Sequence, residues 1–210
     1  MQGKLTILGS GTSQGVPVIG CDCRVCSSSD KRDKRTRTSV LIHINGENHV
    51  IDTGPDFRTQ MLRENIQSLK SVIFTHEHKD HVAGLDDIRP FNFKEKRSMN
   101  VYASDRVREA LLREYHYIFA DKKYPGVPNV NLSIIENEKF EIDTGIEIEP
   151  IEVLHYKLPV FGFRIGDITY ITDAKTISEE EKDKIKGSNI LIINALRREP
   201  HMSHFNLDEA

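Results

Sequence analysis

A chain of 210 residues with 38% hydrophobic residues can fill one sizeable core and is short for two comfortable domains. A formal net charge of -3, with no basic tail, supplies no global positive field for nucleic acid or an anionic membrane surface. No apolar run approaches the length of a signal or membrane-spanning segment, so a cytoplasmic location is the expectation.

The run 4–8 predicts a strand. Gly9-Ser10-Gly11-Thr12-Ser13-Gln14-Gly15 follows as a loop whose glycines permit positive φ; without the lysine and helix start of a nucleotide-binding loop, it reads as a tight turn. All three cysteines lie in Cys21-Asp22-Cys23-Arg24-Val25-Cys26, an odd number that cannot form a closed disulfide set, and they read as a thiolate metal site. The stretch Lys31-Arg32-Asp33-Lys34-Arg35-Thr36-Arg37 carries five basic residues that either steer an anionic substrate or lie solvated on the surface, and both readings stay open. A strand at 39–44, an Asn45-Gly46 turn and a partner strand at 49–52 make a hairpin. Beyond Asp52-Thr53-Gly54-Pro55-Asp56, the spacing of Phe57, Met61 and Leu62 predicts a helix over 57–64.

Ser71-Val72-Ile73-Phe74 has the β-branched and aromatic character of a buried strand end, and it leads directly into Thr75-His76-Glu77-His78-Lys79-Asp80-His81. In an extended segment, residues two apart project to the same side. His76 and His78 can therefore grip one ion while Asp80 and His81 turn toward a second. Imidazole and carboxylate are the usual ligands of zinc, manganese and iron. Further along, 82–88 predicts a short helix interrupted by Arg89-Pro90, 99–103 a strand, and Ser104 or Asp105 the cap of a helix through Tyr117. Tyr124-Pro125-Gly126-Val127-Pro128-Asn129 reads as a loop. A β-rich half follows from Asn131, with strands at 133–135, 146–148, 151–154, 162–165 and 168–172, and turns at Gly145 and Gly166-Asp167 that favour antiparallel pairing. His155 and Asp173 end two of these strands, where side chains can converge on a cleft. Ile190-Leu191-Ile192-Ile193 is the last apolar run, closed by Asn194. His43, His49 and His116 lack ligand companions and read as structural or solvent-facing.

His76-Glu77-His78-Lys79-Asp80-His81 resembles the His-x-His-x-Asp-His motif of the metallo-β-lactamase superfamily of hydrolases. That resemblance implies an α/β fold, a four-layer αββα sandwich with a two-metal cleft at one edge. It makes His155 the third histidine of the first metal and Asp173 the bridging aspartate. His76, His78, His155 and Asp173 would then hold one ion, and Asp80, His81 and Asp173 the other, both zinc or manganese. Water activated between two such cations attacks a phosphoryl or acyl centre. Asp52 resembles the aspartate that anchors the metal loop by hydrogen bonds. The cysteine motif, with Gly9-Ser10-Gly11-Thr12-Ser13 and Gly15-Val16-Pro17, resembles the branch containing the phosphoribosyl cyclic phosphate phosphodiesterases, over essentially the whole chain. Cys21, Cys23 and Cys26 then supply three ligands of one structural zinc.

The same resemblance makes Asp80 a catalytic residue and His204 an active-site histidine that contacts the phosphate or serves the leaving oxygen, with His201 a lesser candidate. The activity implied is metal-dependent hydrolysis of a small, cyclic phosphodiester such as phosphoribosyl cyclic phosphate. Two alternatives remain: a tRNA-processing endonuclease of the same superfamily, whose long basic insertion is missing here, and a non-catalytic cofactor-binding metallo-domain. The expected partner is a small phosphorylated substrate, with no membrane and no nucleic acid, and a homodimer is left open. Asn206 can cap a helix start with Glu209 reaching back, yet the sequence stops at Ala210. The family's pair of C-terminal histidines three residues apart has no counterpart after Asp173 other than His201 and His204. The expectation is one metallo-hydrolase domain, 1–210, lacking its C-terminal helix and strand.

Overall fold

In the computed structural model, which describes residues 3–143 and 145–210, the chain divides after Ile134 into two units, each built on its own mixed sheet. The first begins with an antiparallel meander of β1 (Gly3–Gly9), β2 (Ser39–Ile44) and β3 (Glu47–Ile51). Asn45 and Gly46 both take positive φ, 52° and 80°, the pair that a two-residue hairpin turn of matching twist requires. From β3 the pairing turns parallel through β4 (Ser71–Ile73), β5 (Met99–Ala103) and β6 (Val130–Ile134). Parallel neighbours need crossovers, and helices supply them: α1 (Phe57–Arg63) before β4, then α2 (Lys79–Val82), a 3-10 turn Leu85–Ile88 and α3 (Arg89–Glu95) before β5. After β5 come α4 (Asp105–Glu114) and α5 (His116–Phe119). Phe57, Leu69, Phe74, Leu85, Ile88 and Leu111 fill the core between these helices and the sheet. Burying such side chains contributes about 1.5–3 kcal/mol each.

The second unit orders its sheet β11-β8-β9-β10-β12, from β8 (Ile146–His155), β9 (Leu158–Ile165), β10 (Ile168–Ile171), β11 (Thr176–Ile177) and β12 (Ile190–Ile193), with β7 (Phe140–Ile142) paired to β8. β8, β9 and β10 form an antiparallel meander. β12 runs parallel to β10 because α6 (Glu179–Ile185), capped by the Ser178 hydroxyl, intervenes between them. β10 and β12 therefore deliver their C-terminal ends, and the loops that follow, to one edge of the sheet.

Four sequence expectations are corrected. Arg89-Pro90 does not interrupt a helix but opens α3, because proline in the first turn gives up an amide that has no intrahelical partner there. The helix expected through Tyr117 breaks at Tyr115 into α4 and α5. The strand read at 133–135 is the end of β6, and it belongs to the first sheet, parallel to β5, not to the antiparallel half. The strands read at 146–148 and 151–154 are one strand, β8. Pro150 is tolerated within it because β7 pairs only with 146–148 and β11 only with 153–154 on that side, so no ladder amide is missed. In the same gap the Glu152 amide is taken up by the buried carboxylate of Glu181 on α6, at 2.9 Å.

Candidate metal centre

In the first unit, β4 ends at Ile73, the chain bends at Thr75, and His78 is extended, its carbonyl beginning α2 by accepting from the His81 amide at 2.9 Å. His76 and His78 thus project from the irregular segment before the helix, and Asp80 and His81 from the first helical turn. Their donor atoms converge: His76 Nε2 lies 3.0 Å from His78 Nδ1, and His81 Nε2 lies 3.3 Å from Asp80 Oδ2.

Behind the donors stands Asp52, fully buried at the end of β3 with φ of 65°. Its carboxylate accepts from the Thr75 amide at 2.9 Å, the Thr75 hydroxyl at 2.8 Å and His81 Nδ1 at 2.7 Å. Burial pushes this carboxyl upward, while His81 and Thr75 pull it back. The bond to Nδ1 puts the lone pair of His81 on Nε2, the nitrogen facing Asp80. With its proton committed to Asp52, the Thr75 oxygen accepts from His76 Nδ1 at 3.0 Å and directs His76 Nε2 in the same way. Two glycines let the loops approach this closely: a Cβ on Gly54 would overlap the Asp80 carbonyl, and one on Gly84 the Gly54 carbonyl. The Thr53 amide donates to His81 O at 2.8 Å, and the Gly84 amide to Thr53 O at 2.7 Å. The intervening motif residues face helix α4, where Glu77 pairs with Arg106 and Lys79 with Glu114. The Tyr115 hydroxyl, its pKa pushed up to about 12 by burial, closes α2 by donating to Val82 O at 2.8 Å.

Also in this unit, the ligand atoms of Cys21, Cys23 and Cys26 lie within 4.8 Å of one another. The Val18 amide donates to Cys26 Sγ at 3.3 Å and the Cys26 amide to Cys23 Sγ at 3.5 Å. The Cys26 amide, helped by the other two thiols, lowers Cys23 to about 7, close to the range in which thiolate forms. Of the five neighbouring basic residues, Arg32 pairs with Asp30 and Arg37 with Asp56, so at least these two are committed within the fold.

In the second unit, His155 ends β8 and its Nδ1 donates to Ser203 O at 2.8 Å, which places the ring lone pair on Nε2. Asp173 follows β10 with φ of 53°, and its Oδ2 accepts from the Thr172 hydroxyl at 2.8 Å. Asn194, just past β12, clasps the next residue: its Oδ1 accepts from the Ala174 amide at 2.8 Å and its Nδ2 donates to the Ala174 carbonyl at 3.0 Å. The Phe205 amide donates to the same carbonyl at 2.8 Å, while Phe205 packs on the Ile151, Val153 and Ile171 cluster. That staple sets His204, whose Nδ1 lies 3.5 Å from Asp173 Oδ1. Ligand atoms of His155, Asp173 and His204 fall within 4.8 Å of one another, and the His201 ring stacks 5.1 Å from that of His204.

The predicted residues therefore gather in three groups: His76, His78, Asp80 and His81; His155, Asp173 and His204; and the three cysteines. The first two are nitrogen and carboxylate donors, with the His76, His81 and His155 rings oriented from behind, a donor set that fits zinc or manganese. The cysteine group offers three of the four positions of a tetrahedral zinc. Thr75, Asn194, Ser203, Arg106 and Glu114 were missed. Asn194 had one signal, a polar residue directly after a buried run; the others are ordinary residue types whose part depends on contacts made across the fold.

The model of the beta-lactamase superfamily domain matches residues 47–210. A crystal structure of a diphosphatase from the PhnP family superposes with a TM-score of 0.92 at 40% identity, over 100% of this chain and 80% of that one. An octanoyltransferase of Porphyromonas gingivalis is 44% identical over 99% of this chain, which spans only 42% of that relative. Zinc-bound PqqB from Methylobacterium extorquens is similar in fold, with a TM-score of 0.76 at 21% identity, covering 94% of this chain and 74% of that one.

Proposed function

The chain belongs to the beta-lactamase superfamily and to its PhnP branch, with the four-layer αββα sandwich fold of the metallo-β-lactamase type, and from that premise we propose that it is a metal-dependent hydrolase of small phosphoric esters or anhydrides. What supports this reading most is the way the donors are held. His81 is fixed between Asp52 and Asp80, and His155 and His204 stand beside Asp173, so two braced sets of donors suit a pair of divalent ions. Bound there, such ions would neutralise charge on phosphoryl oxygens and lower the pKa of water.

The remaining roles fall to the protein's own side chains. Asp52 and Thr75 keep the lone pairs of His81 and His76 aimed outward. Asn194 holds the loop that presents Asp173. His204 hydrogen-bonds a phosphoryl oxygen or hands a proton to the leaving oxygen. A phosphodiester and a diphosphate both break a bridging P–O bond and release an oxyanion, so the diphosphatase relative and a cyclic phosphodiester substrate call on the same machinery. Cys21, Cys23 and Cys26 hold a structural zinc, whose binding contributes to folding. Cys23→Ser is expected to lower zinc content and thermal stability together.

Turnover of bis-p-nitrophenyl phosphate and of a diphosphate ester by wild type and Asp80→Ala tests the reading, with a β-lactam and an octanoyl thioester as contrasting substrates. Hydrolysis of the phosphorus substrates alone, with most turnover lost in Asp80→Ala and an unchanged circular dichroism spectrum, is expected. Equal activity of the two proteins, or preference for the thioester, would overturn it.

A further inference from the structure

None of the groups above includes a cavity of about 350 Å³ in the first unit, between the end of α3 and the loop 123–129. Asn92, Phe93, Lys96, Lys123, Tyr124 and Pro128 line it. Its wall is built rather than loose. The buried Asn92 side chain accepts from the Asn129 amide and donates to the Asn129 carbonyl, both at 3.0 Å, and it donates to Arg97 O at 3.0 Å. The Met99 amide also donates to Asn129 O, at 2.8 Å, which ties the loop to the start of β5.

Two features of this wall have no structural employment. Phe93 and Tyr124 are 61% and 80% exposed, although Phe91, two residues from Phe93, is buried in the core. Aromatic rings left open beside a cavity are platforms for another flat ring. Among the described residues, neither Lys96 nor Lys123 has an ion-pair partner, whereas Arg97 on the same wall is spent on Glu95 and on the carbonyls of Leu69 and Lys70. Lys96 sits in the left-handed region, φ of 52°, at the end of α3, and so is carried out of the helix toward the cavity. Two uncommitted ammonium groups answer the two charges of a phosphate monoester, and the rings answer an aromatic group attached to it.

We propose that this cavity binds an aromatic phosphate of the nucleoside monophosphate class, with the base on Phe93 and Tyr124 and the phosphate on Lys96 and Lys123. Its volume falls in the range of small-ligand sites. The assignment uses no metal ligand and stands apart from the hydrolytic reading.

AMP is the probe, titrated into wild type, Lys96→Ala/Lys123→Ala, Tyr124→Ala and Asp80→Ala, with adenosine and inorganic phosphate as separate arms. AMP should bind wild type and Asp80→Ala alike, and about tenfold or more weaker to the double lysine variant and to Tyr124→Ala, since one charge-assisted contact or one stacked ring accounts for that much. Adenosine and inorganic phosphate should each bind more weakly than AMP. Hydrolysis of bis-p-nitrophenyl phosphate should be unchanged in the lysine and tyrosine variants. AMP affinity that is absent from wild type, equal in wild type and the double lysine variant, or lost in Asp80→Ala would overturn the proposal.

Discussion

The two sets of histidine and aspartate donors are built by opposite means. In the first unit, four donors come from six consecutive residues and are braced by groups buried beneath them: Asp52, Thr75 and the close passage of Gly54 under Asp80. In the second, His155, Asp173 and His204 come from three separate strands or loops, each half-buried, and are held by backbone staples to Ser203 O and Ala174. A local motif thus needs one deep anchor, and a dispersed set needs several shallow ones. Both halves nevertheless share a device, an aspartate in the left-handed region just past a strand, Asp52 directly after β3 and Asp173 two residues after the end of β10. At the first the carboxylate points back to orient candidate donors; at the second it stands among them.

Breaking the deep anchor should have the largest effect. Asp52→Ala leaves the His81 ring and the Thr75 amide without their acceptor inside the core, at a cost of about 1–3 kcal/mol for each donor left unsatisfied. The effect should extend to metal affinity, which falls by about 10–100-fold when an orienting partner is removed. Urea denaturation and competitive metal titration read the two effects, and wild-type values in both would refute the bracing role. Asn194→Ala should cost less, about 1–3 kcal/mol, because it removes two bonds at a half-buried site. It should lower turnover through Asp173, read against an unchanged circular dichroism spectrum; wild-type turnover would refute the positioning role of Asn194.

The smallest effect concerns the second half's outer staple. Asn206 and Glu209 cap one another, each amide bonding the other's side chain at 2.9 Å. Lys175 and the Asn206 amide hold the Glu209 carboxyl below the ordinary carboxylate range. A depressed folded-state pKa means stability that is present above the unfolded value and lost as pH falls through the folded one. Wild type should therefore exceed Glu209→Gln in Tm at neutral pH, and the difference should start to shrink as pH drops below about 4 and vanish once the folded carboxyl is protonated. A difference that persists in acid would assign the staple to hydrogen bonding alone.

Legibility in the sequence follows the same division. The motif at 76–81 could be read from spacing, as could its feeding strand and the Asn45-Gly46 hairpin, because the interactions that matter there are between neighbours. The reciprocal capping of Asn206 and Glu209 was visible for the same reason. His155 and Asp173 could be placed at strand ends but joined to the motif only through family resemblance. Asn194 was seen merely as the end of an apolar run, since its clasp on Ala174 exists only once β12 lies parallel to β10. The strand β8 was read as two pieces, 146–148 and 151–154, for a related reason: Pro150 fits a strand only where the gap between β7 and β11 leaves no ladder amide to supply.

The proposed hydrolytic activity depends on ions held by these donors. Its most direct test is turnover of bis-p-nitrophenyl phosphate by the wild-type chain after dialysis against a chelator, followed by titration with manganese or zinc. Activity should disappear on chelation and return with added metal in wild type but not in Asp80→Ala. Activity that survives chelation, or that returns equally in the variant, would contradict the account.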